Sequence, residues 1–268
     1  MYRGILLSLI LSCFFASSCE ENPPKITPCQ TDRVVLVEEF TGISCVRCPT
    51  GHQKIKELQA QYPNKIIPIA IHAGHLARPY NGWDFRTTEG TEIRRWSQAI
   101  GEPSVNVNRQ YFDQLGVYGI VSPNTWAGPI ADEICLPPDA SIELTPTYVA
   151  GTRALSVTVD ITPVNAVKMK ENVGVTVLIT ESKVIAPQLG DAGWDNNYEH
   201  NHMLRGFITD TWGMKLQEKG ETLMPHQKTL NYTLPTGWDE NNCHIVAFVH
   251  YQGDERYILQ ATEESLIP

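Results

Sequence analysis

Hydrophobic and polar residues follow two different patterns along the chain, and the first pattern covers residues 33–137. Nearly continuous apolar runs at 34–40 and 65–73 are typical of strands buried on both faces of a parallel sheet. A shorter strand is predicted within residues 101–109. Because strands alternate with helices, we predict an α/β layer structure with a partly parallel sheet. The helices are predicted where apolar residues recur at helical spacing, at 49–62, 88–100 and 124–136.

The second pattern begins after the Pro137-Pro138 pair and runs to residue 268. Its segments alternate apolar and polar residues at period two and are rich in Val, Thr and Ile. Several short strands separated by turns predict an antiparallel β-sandwich of immunoglobulin-like type for residues 138–268. One stretch, 190–213, lacks the pattern and is predicted to be mostly loop. The predicted strands cover 140–149, 154–164, 173–185, 228–235, 243–252 and 257–265.

The N-terminus has the layout of an export signal. Arg3 precedes an apolar run, which is followed by small residues and then by Cys19. We predict a lipoprotein signal peptide at residues 1–18, lipidation of Cys19, and a polar, Pro-rich tether at 19–32. Acyl chains on Cys19 would anchor the protein to a membrane. The alternative is an ordinary signal peptide that happens to contain a cysteine.

The composition limits the kinds of partner that the chain can bind. The formal net charge is −9 and Lys and Arg are not clustered, so we expect no binding to nucleic acid. With 42% hydrophobic residues, the chain has enough apolar material for one or two cores. After the signal, no stretch is long and apolar enough to span a bilayer. No cofactor is predicted, and the oligomeric state stays open.

The chain has seven cysteines, of which Cys13 and Cys19 belong to the signal and to the lipid anchor. The other five are an odd number for an exported protein, so one thiol should be free or paired elsewhere. Cys29 and Cys135 flank the first predicted domain and could close it as a structural disulfide. Cys243 lies in an apolar, strand-like run and is predicted to be buried and inert.

Cys45 and Cys48 form a Cys-x-x-Cys motif shortly after the first predicted strand. Three hypotheses fit the motif alone: a working dithiol, half of a metal site, or a structural bridge. At a helix N-terminus, unpaired N–H groups and the helix dipole stabilise a thiolate, and Arg47 adds a positive charge. Cys45 would then be the nucleophile and Cys48 the resolving thiol of a thiol–disulfide exchange. A second Cys-x-x-Cys is missing from the chain, which argues against a zinc ribbon.

The segments VEEFTGISC and GEPSVNVNR resemble the thioredoxin superfamily. In that superfamily an acidic residue lies six positions before the first cysteine and is followed by an aromatic residue, and Glu39 and Phe40 hold these positions here. The resemblance implies that Glu39 accepts the proton of Cys48. It also implies that Pro103 is a cis-proline that faces the dithiol and shapes the substrate groove.

Alternatives to this assignment stay open in the sequence. Glu38 and Glu39 could instead be one outward-facing and one edge residue of the strand, and Pro103 could belong to a plain turn. Ile43 and Ser44 stand where the superfamily usually carries Trp. Reactivity toward the usual partners of thioredoxin is therefore not implied.

A narrower resemblance extends over nearly the whole chain. The segments EEFTGISCVRCPTGH, PSVNVNR and NYEHNHMLRGF are similar to those of Bacteroidetes outer-membrane lipoproteins typified by the twenty-eight-kilodalton outer membrane protein. That family pairs a thioredoxin-like domain with a β-sandwich, which implies these two units at 33–137 and 138–268. It also implies an outer-membrane location on the periplasmic or cell-surface side, with Glu20-Glu21 as an export signal to the outer face.

Four histidines are weak candidates for metal binding. His72 and His75 follow the second strand at the edge where the Cys-x-x-Cys motif lies, and thiolates with imidazoles bind zinc or copper(I). The alternative is a polar turn. His200 and His202 point to the same side if the chain is extended, but we favour a hydrogen-bonded pair that fixes a long loop. His52, in the first helix, is expected to face solvent or to cap a neighbour.

Three functions from different classes follow from the sequence. The leading hypothesis is a membrane-tethered thiol–disulfide oxidoreductase that acts on exported proteins with thiols or disulfides. The β-sandwich would serve as a spacer or as a partner-binding module. The second hypothesis is a surface adhesion or interaction lipoprotein whose Cys-x-x-Cys is a structural disulfide. The third is a metal-binding lipoprotein.

Overall fold

The computed structural model describes residue 29 and residues 31–113, 116–166 and 168–267. The predicted signal peptide, the lipidation site Cys19 and most of the tether lie outside the described residues. Within the described ranges, the first half contains β1 (Val35–Thr41), α1 (Cys48–Gln61), β2 (Ile66–His72), α2 (Thr88–Trp96), β3 (Ser104–Val107) and α3 (Ala127–Ile134). The second half contains β4 (Ala140–Val149), β5 (Ala154–Pro163), β6 (Val173–Glu181), β7 (Val184–Gly190), β8 (Gly193–His200), β9 (Met203–Phe207), β10 (Met214–Gln217), β11 (His226–Thr233), β12 (Cys243–Tyr251) and β13 (Ile258–Ser265).

The apolar runs of the first half form β1 and β2, as predicted. All seven residues of each strand are buried, and the two strands pair in parallel. A parallel pair needs a crossover connection, which α1 supplies. α1 packs Ile55 and Leu58 against the sheet. β3 lies on the other side of β1 and runs antiparallel to it.

The sheet around β1 is covered on both faces. Because side chains alternate along a strand, Val37 of β1 and Val105 of β3 pack on the face that α1 and α3 cover. Phe40 belongs to the opposite face, where it shares a core with Ile93 of α2. Each face of β1 is therefore a helix-covered surface, and the end of β1 leads directly into the Cys-x-x-Cys segment.

β9 joins the two halves of the chain. It pairs antiparallel with β6 and contacts β2 in parallel register at Ala70 and Met203, where the Ala70 N–H donates to the His202 carbonyl at 2.8 Å. The result is one eight-stranded sheet with the order β13-β12-β6-β9-β2-β1-β3, in which β10 also pairs with β6. The predicted boundary at residues 137 and 138 lies between α3 and β4, so strands from both sides of it share this sheet.

β4, β5 and β11 form a three-stranded antiparallel sheet that packs against β6 and β12. Val175 and Val177 of β6 point into this layer and share its core with Val157 and Val159 of β5. Leu178 of β6 faces the other way, into the core that β1 and β2 share. β6 is consequently buried along its whole length, whereas β5 alternates buried and more exposed positions.

The prediction that residues 190–213 are mostly loop is wrong. β7 and β8 form a two-stranded hairpin, and β9 follows it after a short turn. The hairpin turn ends at Gly193, whose φ of 100° lies in the region that favours glycine. Most side chains of β8 are exposed. The alternation that reveals a strand requires one apolar face, and this strand has none that is continuous.

Two disulfides are present among the described residues, Cys29–Cys135 and Cys45–Cys48. The first ties the beginning of the described chain to the residue that follows α3, across 106 positions. Cys243 is a buried free thiol, and burial raises its pKa to about 12. Within the described ranges, no helix has the length and apolar character needed to cross a membrane.

Candidate functional site

Cys45 and Cys48 lie where β1 ends and α1 begins. In the loop after β1, the Cys45 N–H donates to the Gly42 carbonyl at 2.9 Å, and Cys48 is the first residue of α1. Pro49 is compatible with the first helical turn, where a backbone N–H has no partner within the helix. Arg47 precedes the helix and is exposed. The two cysteines form a disulfide and are buried, with 1% and 0% of their surfaces exposed.

The β7–β8 hairpin covers the loop that carries Cys45. The Gln188 side chain donates to the carbonyls of Gly42 and Cys45, both at 3.1 Å. Its neighbour Leu189 donates its backbone N–H to the Ile43 carbonyl at 2.9 Å. These contacts satisfy the polar groups of the loop and keep the disulfide away from solvent.

Aromatic side chains pack the rest of the hairpin against the first half of the chain. The ring of Trp194 stacks on Tyr80 with the ring centres 3.7 Å apart. At the end of β8, His200 lies against Phe85 and His72, with ring centres 5.2 and 5.5 Å away. Because the hairpin is a separate two-stranded sheet, these side-chain contacts and the loop hydrogen bonds hold it in place.

Glu39 lies beneath the first turns of α1. A Cβ atom at Gly51 would lie 2.6 Å from Glu39 Oε1 and 3.0 Å from Pro103 Cβ, so only glycine leaves room for both. The Glu102–Pro103 peptide bond is cis, as the thioredoxin resemblance implies. Burial raises the pKa of Glu39 to about 8, and its Oε1 has no hydrogen-bond partner among the described residues. The carboxyl group is therefore largely protonated at neutral pH.

The alternative in which Glu38 and Glu39 are outward-facing or edge residues is wrong, because both are buried. Glu38 faces the opposite side of β1 from Glu39. Its carboxylate accepts from Arg109 Nη2 at 2.6 Å and from Asn106 Nδ2 at 3.0 Å. One of the two neighbouring acids is thus held in a buried ion pair with Arg109, and the other is a protonated group under the helix that begins at Cys48.

His52 connects Glu39 to the hairpin. Its Nε2 lies 2.9 Å from Thr41 Oγ1 and 3.8 Å from Glu39 Oε1, and its Nδ1 lies 2.6 Å from the Tyr198 hydroxyl. Burial, with a smaller contribution from His200, lowers the pKa of His52 to about 3. Of the two expectations for His52, contact with solvent or with a neighbour, the contact with neighbours predominates: β8 packs over this side of α1 and brings Tyr198 onto the ring, and 20% of the side chain stays exposed.

A cavity of about 610 Å³ opens between α1, β2 and the segment from β8 to β9. Glu39, His52 and Tyr198 line one part of it, and Lys56 and Glu199 line another. This volume lies within the range of cavities that hold small molecules or several waters. Because Glu39 lines this cavity, a proton can reach or leave its buried carboxyl group without passing through the disulfide.

The four candidate metal-ligand histidines do not come together as one group, although the rings of His72 and His200 lie against each other. His72 is buried at the end of β2, whereas His75 is exposed in the short 3₁₀ helix His75–Ala77. The chain turns at His202, whose φ is 54°, so His200 and His202 do not form the predicted pair. Across the residues that the structure describes, no three His, Cys, Asp or Glu side chains are grouped to hold a metal ion. The metal-binding hypothesis thus finds no support in this part of the chain.

A model of the outer membrane protein Omp28 family matches residues 91–266, about two thirds of the sequence. The chain belongs to the Omp28 family. The resemblance to this family of outer membrane proteins is therefore confirmed, and the match includes Pro103, the β7–β8 hairpin and the second half of the chain. No curated protein matches the chain.

Two solved structures are similar to this Omp28-family chain. HBP35 of Porphyromonas gingivalis has a TM-score of 0.67 at 19% identity, with 89% of this chain and 76% of HBP35 covered. A protein of Agrobacterium tumefaciens from structural genomics has a TM-score of 0.53 at 12% identity, with 88% of this chain and 96% of that protein covered. At these identities the similarity shows a shared fold.

Gln188 and Tyr198 are the site residues that the sequence analysis missed. Both lie in the hairpin, in or next to the stretch that was predicted as loop. Two signals for the hairpin were present: glycines at 190 and 193, and large side chains at every second or fourth position through Trp194, Tyr198 and His200. The contacts of Gln188 with the Cys-x-x-Cys loop and of Tyr198 with His52 have no local signal in an Omp28-family sequence.

The unfolding free energy is expected to be highest near pH 6.5. Burial lowers the pKa of His52 to about 3 and those of His200 and His202 to about 4. Between pH 4 and 6.5, these three histidines therefore bind protons in the unfolded chain but not in the folded protein. Stability should therefore fall by at least about 2 kcal/mol as the pH drops through that range. From pH 6.5 to 8 it should fall again, because folded Glu39 retains a proton that the unfolded chain has lost.

Urea unfolding at intervals from pH 4.5 to 8.5 measures this profile. Glu39→Gln provides the matched control, because glutamine does not titrate. It should reduce the loss of stability above pH 6.5 and make the rise between pH 4.5 and 6.5 steeper, because in the native protein Glu39 opposes the histidines over that range. A curve that rises steadily to pH 8.5 in both proteins would contradict the burial of a protonated Glu39.

Proposed function

We propose that the protein carries out thiol–disulfide exchange on exported proteins, with Cys45 and Cys48 as the reacting pair. The observation that supports this most strongly is a disulfide at the N-terminus of α1 with the buried, protonated Glu39 beneath the same helix. A thiolate released at a helix N-terminus is stabilised by the unpaired N–H groups there. A neighbouring carboxyl with a pKa near 8 can exchange a proton with such a sulfur at neutral pH.

The proposal includes a thioredoxin-like unit at residues 33–137 and an immunoglobulin-like sandwich at 138–268. In favour of the first, β1, α1 and β2 form a parallel strand–helix–strand unit, and β3 follows Pro103 antiparallel to β1. In favour of the second, the sheet of β4, β5 and β11 faces β6 and β12 across an apolar core. The second unit also supplies the hairpin over the disulfide.

The reaction begins from the disulfide form. A thiolate of the exported protein attacks the Cys45 sulfur, the bond to Cys48 breaks, and the Cys48 sulfur leaves and takes the proton of Glu39. A second thiol of the exported protein gives its proton to Glu39 and attacks the mixed disulfide, and Cys45 leaves and is protonated by solvent. Two electrons and two protons pass in total from the substrate dithiol to Cys45 and Cys48. The reverse sequence reduces a substrate disulfide.

Exchange requires the β7–β8 hairpin to move, because both cysteines are buried beneath it. Gln188 and Leu189 are hydrogen-bonded to the loop beside Cys45, and a substrate chain would have to bind at this same surface. A partner that offers its own backbone donors to the carbonyls of Gly42 and Ile43 would replace these bonds. Selection of exported proteins would then depend on their ability to displace the hairpin.

We also propose that the protein is held at the outer membrane by a lipid on Cys19, on the periplasmic or cell-surface side. Membership of a family of outer membrane proteins supports this location. The layout of residues 1–18, with small residues before Cys19, supports the lipid anchor. Palmitate labelling of the expressed protein, lost in Cys19→Ala, would test the anchor.

The redox proposal is tested by the reduction potential of the Cys45–Cys48 pair and by exchange with a dithiol peptide. We expect a potential between about −120 and −270 mV, the range of known thiol oxidoreductases, and exchange that is lost in Cys45→Ser. Cys243→Ser is the matched control, because that thiol is buried and should not contribute. A potential below about −300 mV without exchange would contradict the proposal.

The burial of both cysteines supports a second candidate function. In it the protein is a surface interaction lipoprotein, and Cys45–Cys48 is a structural disulfide that fixes the start of α1. The same measurement separates the two candidates, because a structural bridge would show the low potential and no exchange. In that case Cys45→Ser would lower the unfolding free energy, and neither the native protein nor the variant would show exchange activity.

A further inference from the structure

His52 lies at the centre of a chain of polar groups that leads from Glu39 to the hairpin. The Tyr198 hydroxyl contacts its Nδ1 at 2.6 Å, and Thr41 Oγ1 contacts its Nε2 at 2.9 Å. Nε2 also faces Glu39 Oε1 at 3.8 Å, an oxygen without a hydrogen-bond partner among the described residues. The proposed function uses Glu39 but assigns no role to His52 or Tyr198.

The proton positions in this chain follow from the chemistry of its members. Burial raises the pKa of Tyr198 to about 12, so its phenol keeps a proton that it can donate. His52 is neutral because burial lowers its pKa, and a neutral imidazole has one N–H and one lone pair. If the phenol donates to Nδ1, the single N–H must be on Nε2, which points to Thr41 and Glu39.

We propose that Tyr198 fixes the tautomer of His52 so that an N–H, and not a lone pair, faces Glu39. Tyr198 and His52 are then positioning residues for the proton that Glu39 exchanges with Cys48, an assignment that rests on the proposed function. When Glu39 gives up its proton, a negative charge forms in a buried place with few donors. The Nε2–H dipole stabilises that charge, and the stabilisation is larger in an interior of low dielectric than in water.

Other titratable groups also face this carboxyl. Lys56, Glu199 and His202 line the same cavity, and His200 and His72 are close enough to His52 for their charges to influence one another. A change of Tyr198 to phenylalanine removes one hydroxyl and leaves all of these groups in place. Any change in the pKa of Glu39 in that variant therefore reports on the orientation of the His52 proton.

The test is the pKa of Glu39 in the full-length, disulfide-bonded protein labelled with ¹³C at its glutamate carboxyl carbons. In Tyr198→Phe we expect this pKa to rise by about 1, because the Nε2–H dipole of His52 would no longer be held toward the ionised carboxylate. Trp194→Phe is the matched control on the same strand and should leave the pKa unchanged. An unchanged or lowered pKa in Tyr198→Phe would overturn the tautomer assignment.

A second variant tests whether Tyr198 acts through His52. His52→Leu should raise the pKa of Glu39 by itself, and Tyr198→Phe should then add nothing. A further rise in the double variant would mean that Tyr198 acts on Glu39 by another route, and would overturn the proposal. This comparison is also informative if one variant is less stable, because each pKa is read from the folded protein.

The link to exchange is measured separately. In Tyr198→Phe, the pH dependence of exchange with a dithiol peptide should move by the same amount as the pKa of Glu39. If the native protein exchanges thiols but its pH profile does not follow Glu39, the positioning role is wrong. If the native protein shows no exchange at all, the proposed function fails, and the tautomer assignment is decided by the pKa of Glu39 alone.

Discussion

Loosening the β7–β8 hairpin is expected to make the Cys45–Cys48 disulfide about 100 times faster to reduce. Gln188 contributes two hydrogen bonds to the loop, and Trp194 contributes a stacked contact with Tyr80. At about 1 kcal/mol for each hydrogen bond and about 1 kcal/mol for the stacked pair, they hold the hairpin closed by about 3 kcal/mol. The double variant Gln188→Ala, Trp194→Ala removes them, and about 3 kcal/mol corresponds to about 100-fold more of the open form.

The measurement is the rate at which a small phosphine reduces each disulfide, followed by alkylation and mass spectrometry. Cys29–Cys135 provides an internal control in the same molecule, and its rate should not change. Ile185→Ala is the matched variant, because Ile185 lies in β7 but is half exposed. Equal rates in the native protein and the double variant would show that the hairpin does not limit access to the disulfide.

Much of the fold near the site can be predicted from the sequence because burial leaves a simple pattern. β1 and β2 are buried on both faces, so most of their residues are apolar and their parallel pairing follows. The start of α1 can be predicted for the same kind of reason, because Pro49 is favoured in a first turn and Ile55 and Leu58 follow at helical spacing. These elements place Cys45 and Cys48 correctly at the junction.

The contacts between distant segments could not be predicted in this way. β9 contacts β2 through a single residue pair, so the sheet that joins the two halves depends on one bridge and not on a long apolar run. His52 and Tyr198 are 146 positions apart, and a hydrogen bond between two polar side chains leaves no periodicity in either segment. Glu39 could be predicted as a site residue only from its spacing to Cys45. Its protonated state depends on how deeply it is buried, which the sequence of β1 alone does not reveal.

Alanine in place of Glu38 is expected to lower the unfolding free energy by about 3–5 kcal/mol, the cost of leaving a buried charge without its partner. Glu38 and Arg109 are fully buried and joined by three contacts of 2.6 to 3.1 Å. The guanidinium group also lies 5.0 Å from the ring centre of Phe248 in β12. A second cation, Arg256, lies on the neighbouring Trp212, so loss of the carboxylate would leave two positive charges close together.

Urea unfolding of three variants separates the charge from the packing. Glu38→Met combined with Arg109→Met should be more stable than Glu38→Ala, because an apolar pair of similar volume carries no desolvation cost. Glu255→Ala is the surface control: its ion pair with Lys170 is more than half exposed, so its loss should cost no more than about 1 kcal/mol. A cost below about 1 kcal/mol for Glu38→Ala would show that water reaches Arg109. The ion pair would then not be what fixes this face of β1, and the position of Glu39 on the opposite face of β1 would need another cause.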